Sequence, residues 1–151
     1  MFYEYQNFVV ATELPSPVKN LQSSDPTTFV SGLKVTSDTI TVNRSGLYFV
    51  YSQIHFSKLY SDTTKRKTTS QALYHYVYRY NVVYPNGGTE LLLMSVRTQC
   101  WDRDKMYSDY TSYTAAVLEL MAGDKLYVMV SDITAVSREP KGSFLGVAKI
   151  S

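Results

Sequence analysis

The residues best able to do chemistry are few: His55, His75 and one cysteine, Cys100. A thiol activated by an imidazole would make a nucleophile, but that arrangement also calls for a third group to orient the base. No glycine-rich nucleophile turn and no separate orienting carboxylate stands out, and both histidines sit inside strand-like runs with aromatic neighbours. They read as packed or interfacial, and an enzyme is discounted. No His-x-x-x-His, Cys-x-x-Cys, phosphate loop or dinucleotide fingerprint occurs, so an intrachain metal centre lacks ligands. One cysteine cannot form a disulfide within the chain; it is a core thiol, a bridge between chains, or a metal ligand. Asn43-Arg44-Ser45 spells an N-glycosylation acceptor, and a turn asparagine beside Gly46 reads equally well.

The elements that must position these groups are strands. At 151 residues the chain makes one domain, able to bury about 70% of its unfolded surface without a staple. Residues 1–5 read as a cut edge or tag remnant. Aromatic content is high, with 14 tyrosines, which suits strands and binding surfaces more than helices. A net charge of +2 is too small for an electrostatic grip on nucleic acid. No window approaches the roughly 18 apolar residues of a membrane span, and no secretory signal opens the chain.

The longest strand-like run is 45–56, SGLYFVYSQIHF. Alternation puts Leu47, Phe49, Tyr51, Gln53 and His55 on one face and Tyr48, Val50, Ser52, Ile54 and Phe56 on the other. Neither face suits water. The second row can fill a sandwich, and the first, aromatic but ending in Gln53 and His55, looks like a surface covered by another chain. Further strands are expected over 6–12, 29–35, 39–42, 72–83, 89–100, 110–120, 125–130 and 142–150, nine or ten in all. Loops are expected over 13–27, which holds Pro15, Pro17 and Pro26, over the basic stretch 58–70, over 101–108 and over 133–141, with a turn at 84–88. Tyr74, Tyr76, Tyr78 and Tyr80 should share one face and His75, Val77 and Arg79 the other. The pattern is that of an all-β sandwich or jelly roll.

Run 46–56, with its Gly46-Leu47-Tyr48 start and Tyr51-Ser52-Gln53, resembles the signature strand of the tumour necrosis factor ligand superfamily. Run 117–126, turning through Gly123-Asp124, resembles that family's next-to-last hairpin, and 143–150 its closing strand. Tyr78-Arg79-Tyr80, Tyr84-Pro85, Leu91-Leu92-Leu93-Met94 and Cys100-Trp101 are similar to its TNF-related apoptosis-inducing ligand branch. The likeness covers nearly the whole chain from about Phe8. The complement globular-head family shares a similar strand; it or a lectin-like recognition module is the competing reading.

The resemblance implies a jelly-roll protomer that forms a homotrimer, with cysteine-rich receptors of the TNF-receptor family bound in three grooves to trigger apoptotic or inflammatory signalling. It implies an extracellular domain from a type II membrane precursor. Phe49, Tyr51, Gln53, Tyr113 and Phe144 would line the three-fold contact. Tyr84, exposed at a turn tip before a proline, and Pro85 would meet the receptor, flanked by Lys65 and Arg66 of the basic loop and by Val136 and Arg138. Cys100 would face the three-fold axis, where three thiolates hold one zinc ion. Departures from the family's pattern are Ala115-Ala116 for a glycine pair, Leu145 for an aromatic, and Val136-Ser137 for Leu-Asp.

Overall fold

The computed structural model describes residues 16–18, 33–36, 38–59, 71–99, 107–139 and 141–151; of 58, 59, 71, 99, 107 and 108 it describes the backbone alone. Among these residues lie nine strands: β1 (Ser16–Pro17), β2 (Leu33–Val35), β3 (Ile40–Val42), β4 (Gly46–Leu59), β5 (Gln71–Tyr80), β6 (Thr89–Gln99), β7 (Tyr107–Leu120), β8 (Lys125–Val130) and β9 (Phe144–Lys149). Two single 3-10 turns, Asn86–Gly88 and Ile133–Ala135, are the only helical pieces among them. No helix of the described residues is long and apolar enough to cross a membrane.

The strands form two antiparallel sheets. One runs β2-β3-β8-β5-β6, with β1 also paired to β8, and the other β7-β4-β9. β4 is the organising strand of the second sheet: it pairs with β7 over its full length, Gly46 opposite Leu120 through Leu59 opposite Tyr107, and with β9 from Tyr48 to Gln53. Its inward row is the one that alternation predicts. Tyr48, Val50, Ile54 and Phe56 are buried and meet Leu73, Val77, Leu126, Val128 and Val130 from the other sheet. Burying a side chain of this size contributes on the order of 2 kcal/mol. Tyr48 satisfies its hydroxyl by donating to the Arg44 carbonyl at 2.6 Å, as a buried phenol must.

Several boundaries differ from those read in the sequence. β4 continues to Leu59 and β7 starts at Tyr107, because the two strands go on pairing where local composition turns polar. β5 stops at Tyr80 rather than Val83: the Asn81 amide leaves the ladder and donates to the Gly88 carbonyl at 2.9 Å, closing a loop. Ser16–Pro17, inside the expected proline loop, pairs with Val130 and Met129 at a sheet edge, where a missing N–H is tolerated. The expected strand over 6–12 lies outside the described residues.

On its outer face the larger sheet carries a tyrosine row. Tyr74, Tyr76, Tyr78 and Tyr127 follow one another at ring spacings of 5.8, 6.0 and 5.6 Å. The inward row of β5 holds Leu73, His75 and Val77, all buried.

Candidate functional site

The outward row of β4 does not face solvent-compatible chemistry. The register sets Phe49 beside Val117 and Ala148, Tyr51 beside Ala115 and Gly146, and Gln53 beside Tyr113 and Phe144. The residues the sequence singles out for a contact between chains therefore lie on one face of one sheet. Phe49 stacks on Tyr51 at 5.3 Å, and Tyr51 meets Phe144 edge-on at 6.1 Å. Tyr113 is 52% exposed and Phe144 39%, and Leu47 and Val117 extend the exposed apolar surface. Those two were not singled out, although Leu47 stands in the alternating row and Val117 faces Phe49 once the register is known. Tyr51 lies between the two smallest side chains available, Ala115 and Gly146, which leave room for its ring. Gln53 is held by its Nε2, which donates to the Gly142 carbonyl at 3.1 Å.

His55 closes the row at the sheet's end. Its Nε2 is 2.6 Å from Asp109 Oδ1, and its amide donates to Ser143 Oγ at 3.0 Å. His75, by contrast, is wholly buried between the sheets. Its Nε2 pairs with Ser52 Oγ at 2.9 Å and its Nδ1 with Ser112 Oγ at 3.1 Å, while Ser112 Oγ donates to Ser95 Oγ at 2.9 Å. One imidazole thus ties β4, β5, β6 and β7 together. Burial pulls its pKa down to about 4, with the Ser112 backbone opposing. Each nitrogen is spent on a serine that is itself buried, so this histidine is a cross-sheet bolt.

The second surface is the loop 81–88. The sequence predicts Tyr84 at an exposed turn tip; instead Tyr84 is half-buried, its hydroxyl donating to both carboxylate oxygens of Asp124 at 3.0 Å. Asp124 is fully buried and also accepts from Asn81 Nδ2 and the Met121 amide, each at 3.0 Å. Arg79 Nη1 stands 3.6 Å from that carboxylate. The same guanidinium donates through Nε and Nη2 to Glu90 Oε2, at 2.9 and 2.6 Å, and lies 4.3 Å over the Tyr84 ring. Burial, with the Asp124 hydrogen bond and charge, pushes the Tyr84 phenol above its ordinary pKa. What the loop exposes is Val82 and Val83, at 80% and 62%, beside the exposed Pro85. Those valines read in the sequence as strand residues, and only the loss of pairing after Tyr80 turns them out.

Other predicted positions scatter. Val136 is half-buried against the core and bridges Phe56, and the Ser137 amide donates to the His55 carbonyl at 2.8 Å, so this stretch is pinned to β4 rather than looping out. Arg138 is exposed. Asn43 is exposed ahead of β4, and Ser45 Oγ accepts from the Ala122 amide at 2.9 Å. Lys65, Arg66 and Cys100 lie outside the described residues. Among those described, no group of three His, Cys, Asp or Glu could hold a metal ion.

The sequence model of the TNF (Tumour Necrosis Factor) family matches residues 21–150. Tumor necrosis factor ligand superfamily member 6 of Rattus norvegicus is 32% identical over 124 residues, covering 82% of this chain and 41% of that protein. The Sus scrofa member 6 is 34% identical over 121 residues, covering 80% and 39%. Member 10 of Mus musculus is 29% identical over 131 residues, covering 82% and 43%. The chain thus spans about two fifths of the length of these curated relatives. Among solved structures, murine APRIL at pH 5.0 superposes with a TM-score of 0.60 at 25% identity, covering 81% of this chain and 80% of that one.

Proposed function

The chain belongs to the tumour necrosis factor family, and on that premise we propose that it is the receptor-binding domain of a ligand that acts as a homotrimer. The observation that carries this reading is the outward face of the β7-β4-β9 sheet. Phe49, Tyr51, Tyr113, Val117 and Phe144 form a contiguous apolar surface of a kind that monomers seldom leave in water. Three copies packed by that face would bury it, and each aromatic so covered would contribute about 2 kcal/mol. The complement-type and lectin-like readings have no comparable support, since the family match spans nearly the whole chain.

The trimer acts by presenting three equal grooves to cysteine-rich receptors of the TNF-receptor family, clustering them outside the cell to start apoptotic or inflammatory signalling. Its mechanism is multivalent binding with no catalytic step. Matches to members 6 and 10 support the apoptosis-linked side of the family without separating its branches. Each groove would carry the loop with Tyr84 and Pro85, with Arg138, Lys65 and Arg66 on its flanks. The match covers 41% and 39% of these relatives, and the family reading adds a longer precursor with a type II membrane anchor, this domain lying on its extracellular side. Cys100 follows the last residue of β6; three copies of its thiolate near the three-fold axis would suit one tetrahedral zinc ion with a fourth, non-protein ligand.

Light scattering tests the reading. The native chain should run at three times its own mass, and Phe144→Asp, which puts a charge on the shared face, should run as a monomer. A native monomer would overturn the trimer and with it the grooves. Capture of a TNF-receptor-family ectodomain by the native chain, and its loss in the monomeric variant, tests the second step.

A further inference from the structure

The loop 81–88 raises a question that its sequence does not: the phenol that would meet a receptor has its polar end turned inward. Tyr84 spends its hydroxyl on Asp124, which is fully buried. Asn81, the first residue of the loop, spends its side-chain amide on the same carboxylate. The loop is closed by backbone as well, the Asn81 amide to the Gly88 carbonyl at 2.9 Å and the Tyr84 amide to the Asn81 carbonyl at 3.1 Å. Gly88 sits at φ +84°, and a Cβ there would fall 2.6 Å from the Asn81 oxygen, so the closure needs glycine. Between these anchors Val82 and Val83 are the two most exposed large apolar side chains among the described residues. Two β-branched residues held in water by a fixed loop have nothing to gain from the protomer itself.

From this we propose that Asp124 is a positioning residue for receptor binding: through Tyr84 and Asn81 it holds the loop so that Val82 and Val83 form the contact tip. The inference rests on the reading that this loop faces the receptor. It assigns Tyr84 a double part, with its hydroxyl an internal strut and only its ring edge left for a partner. The partner surface it requires is an apolar hollow on the cysteine-rich ectodomain, with no hydrogen-bond acceptor for a phenol. Arg79 belongs to the same strut, because it covers one face of the Tyr84 ring and lies beside Asp124. The carboxylate takes two bonds from the loop, a phenol and a side-chain amide, and is itself fixed by the Met121 backbone N–H, so the loop is held at two points to a fixed acceptor. Pre-ordering of this kind raises affinity because the ordering cost is met before the partner arrives.

The test uses the trimer and the purified TNF-receptor-family ectodomain that the native chain binds most tightly. Tyr84→Phe keeps the ring and removes the strut. It should weaken binding about tenfold, the size of a hydrogen bond to a charged group. It should also speed hydrogen exchange at the amides of residues 81 and 84 while leaving β4 and β7 protected. Asp124→Asn should do the same, and since it sits in a buried site, Tyr84→Phe carries the test if it misfolds. The Val82→Ser, Val83→Ser double variant should weaken binding by at least as much. Added to that double variant, Tyr84→Phe should cost nothing further, because its effect runs through the tip. Additive losses, or unchanged exchange in Tyr84→Phe, would overturn the proposal. Binding unaffected by the valine double variant but lost in Tyr84→Ala would overturn it as well and leave the receptor-site reading standing. Binding unaffected by Tyr84→Ala would overturn the proposal, and binding unaffected by both Tyr84→Ala and the valine double variant would remove the loop from the receptor surface and end both.

Discussion

The ring of Tyr51 occupies the space beside Gly146 so closely that a Cβ at that glycine would fall 2.0 Å from the tyrosine Cζ. The aromatic surface of the β7-β4-β9 sheet depends on this absence of a side chain, since the ring that stacks on Phe49 and meets Phe144 fills the place a Cβ would take.

Gly146→Val should therefore push Tyr51 off the sheet and break up the shared face. We expect a loss of at least about 2 kcal/mol in stability, as for other forced core insertions, with the trimer dissociating at micromolar concentration. Urea unfolding and light scattering measure the two effects, and a variant trimer as stable as the native one would show that Tyr51 does not organise the face.

Arg79→Met should cost more than a surface ion pair. The exposed Glu90 loses little, but Asp124 is left buried with its compensating cation gone. A loss of about 3 kcal/mol is expected for breaking a buried pair, read as a lowered urea midpoint. Asp124→Asn in the same background should recover part of it, because the uncompensated charge is then absent.

Stability should fall in acid through His75. The group titrates at 6.5 when exposed and at about 4 in the fold. Between those values the unfolded chain binds the extra proton, so the contribution is complete above pH 6.5 and is lost as pH drops toward 4. A shift of that size corresponds to roughly 3 kcal/mol. Unfolding midpoints measured from pH 7.5 down to 4 should show the decline, and His75→Gln, which can still bond Ser52 and Ser112, should flatten it.

Metal analysis of protein purified without chelators should find one zinc ion for every three chains, lost in Cys100→Ser. Native protein without zinc would remove Cys100 from any metal site and leave it a thiol.

Much of this was legible in the residues. Strict alternation in 46–56 determined which row of β4 enters the core, because a strand's side chains have a period of two and one face must leave water. The same alternation marked Phe49, Tyr51 and Gln53 as one surface; Tyr113 and Phe144 came only from the family resemblance, and the strand register sets both beside Gln53. That His75 is packed or interfacial rather than catalytic was readable from its aromatic strand neighbours, and the structure buries it. Its serine partners were not, because Ser52 and Ser112 come from two other strands far from it in the chain. Tyr84 shows the limit most clearly. A tyrosine before a proline in a turn reads as exposed, since local chemistry contains no reason for it to turn in. The reason is Asp124, forty residues on, which the pairing of β5 with β8 brings beneath the loop. The sequence alone determined strands, faces and family, which depend on neighbours along the chain. Only the tertiary structure decided which polar ends are spent internally and which apolar side chains, Val82 and Val83 among them, are left for a partner, because a buried carboxylate draws its hydrogen bonds from whatever the fold sets around it.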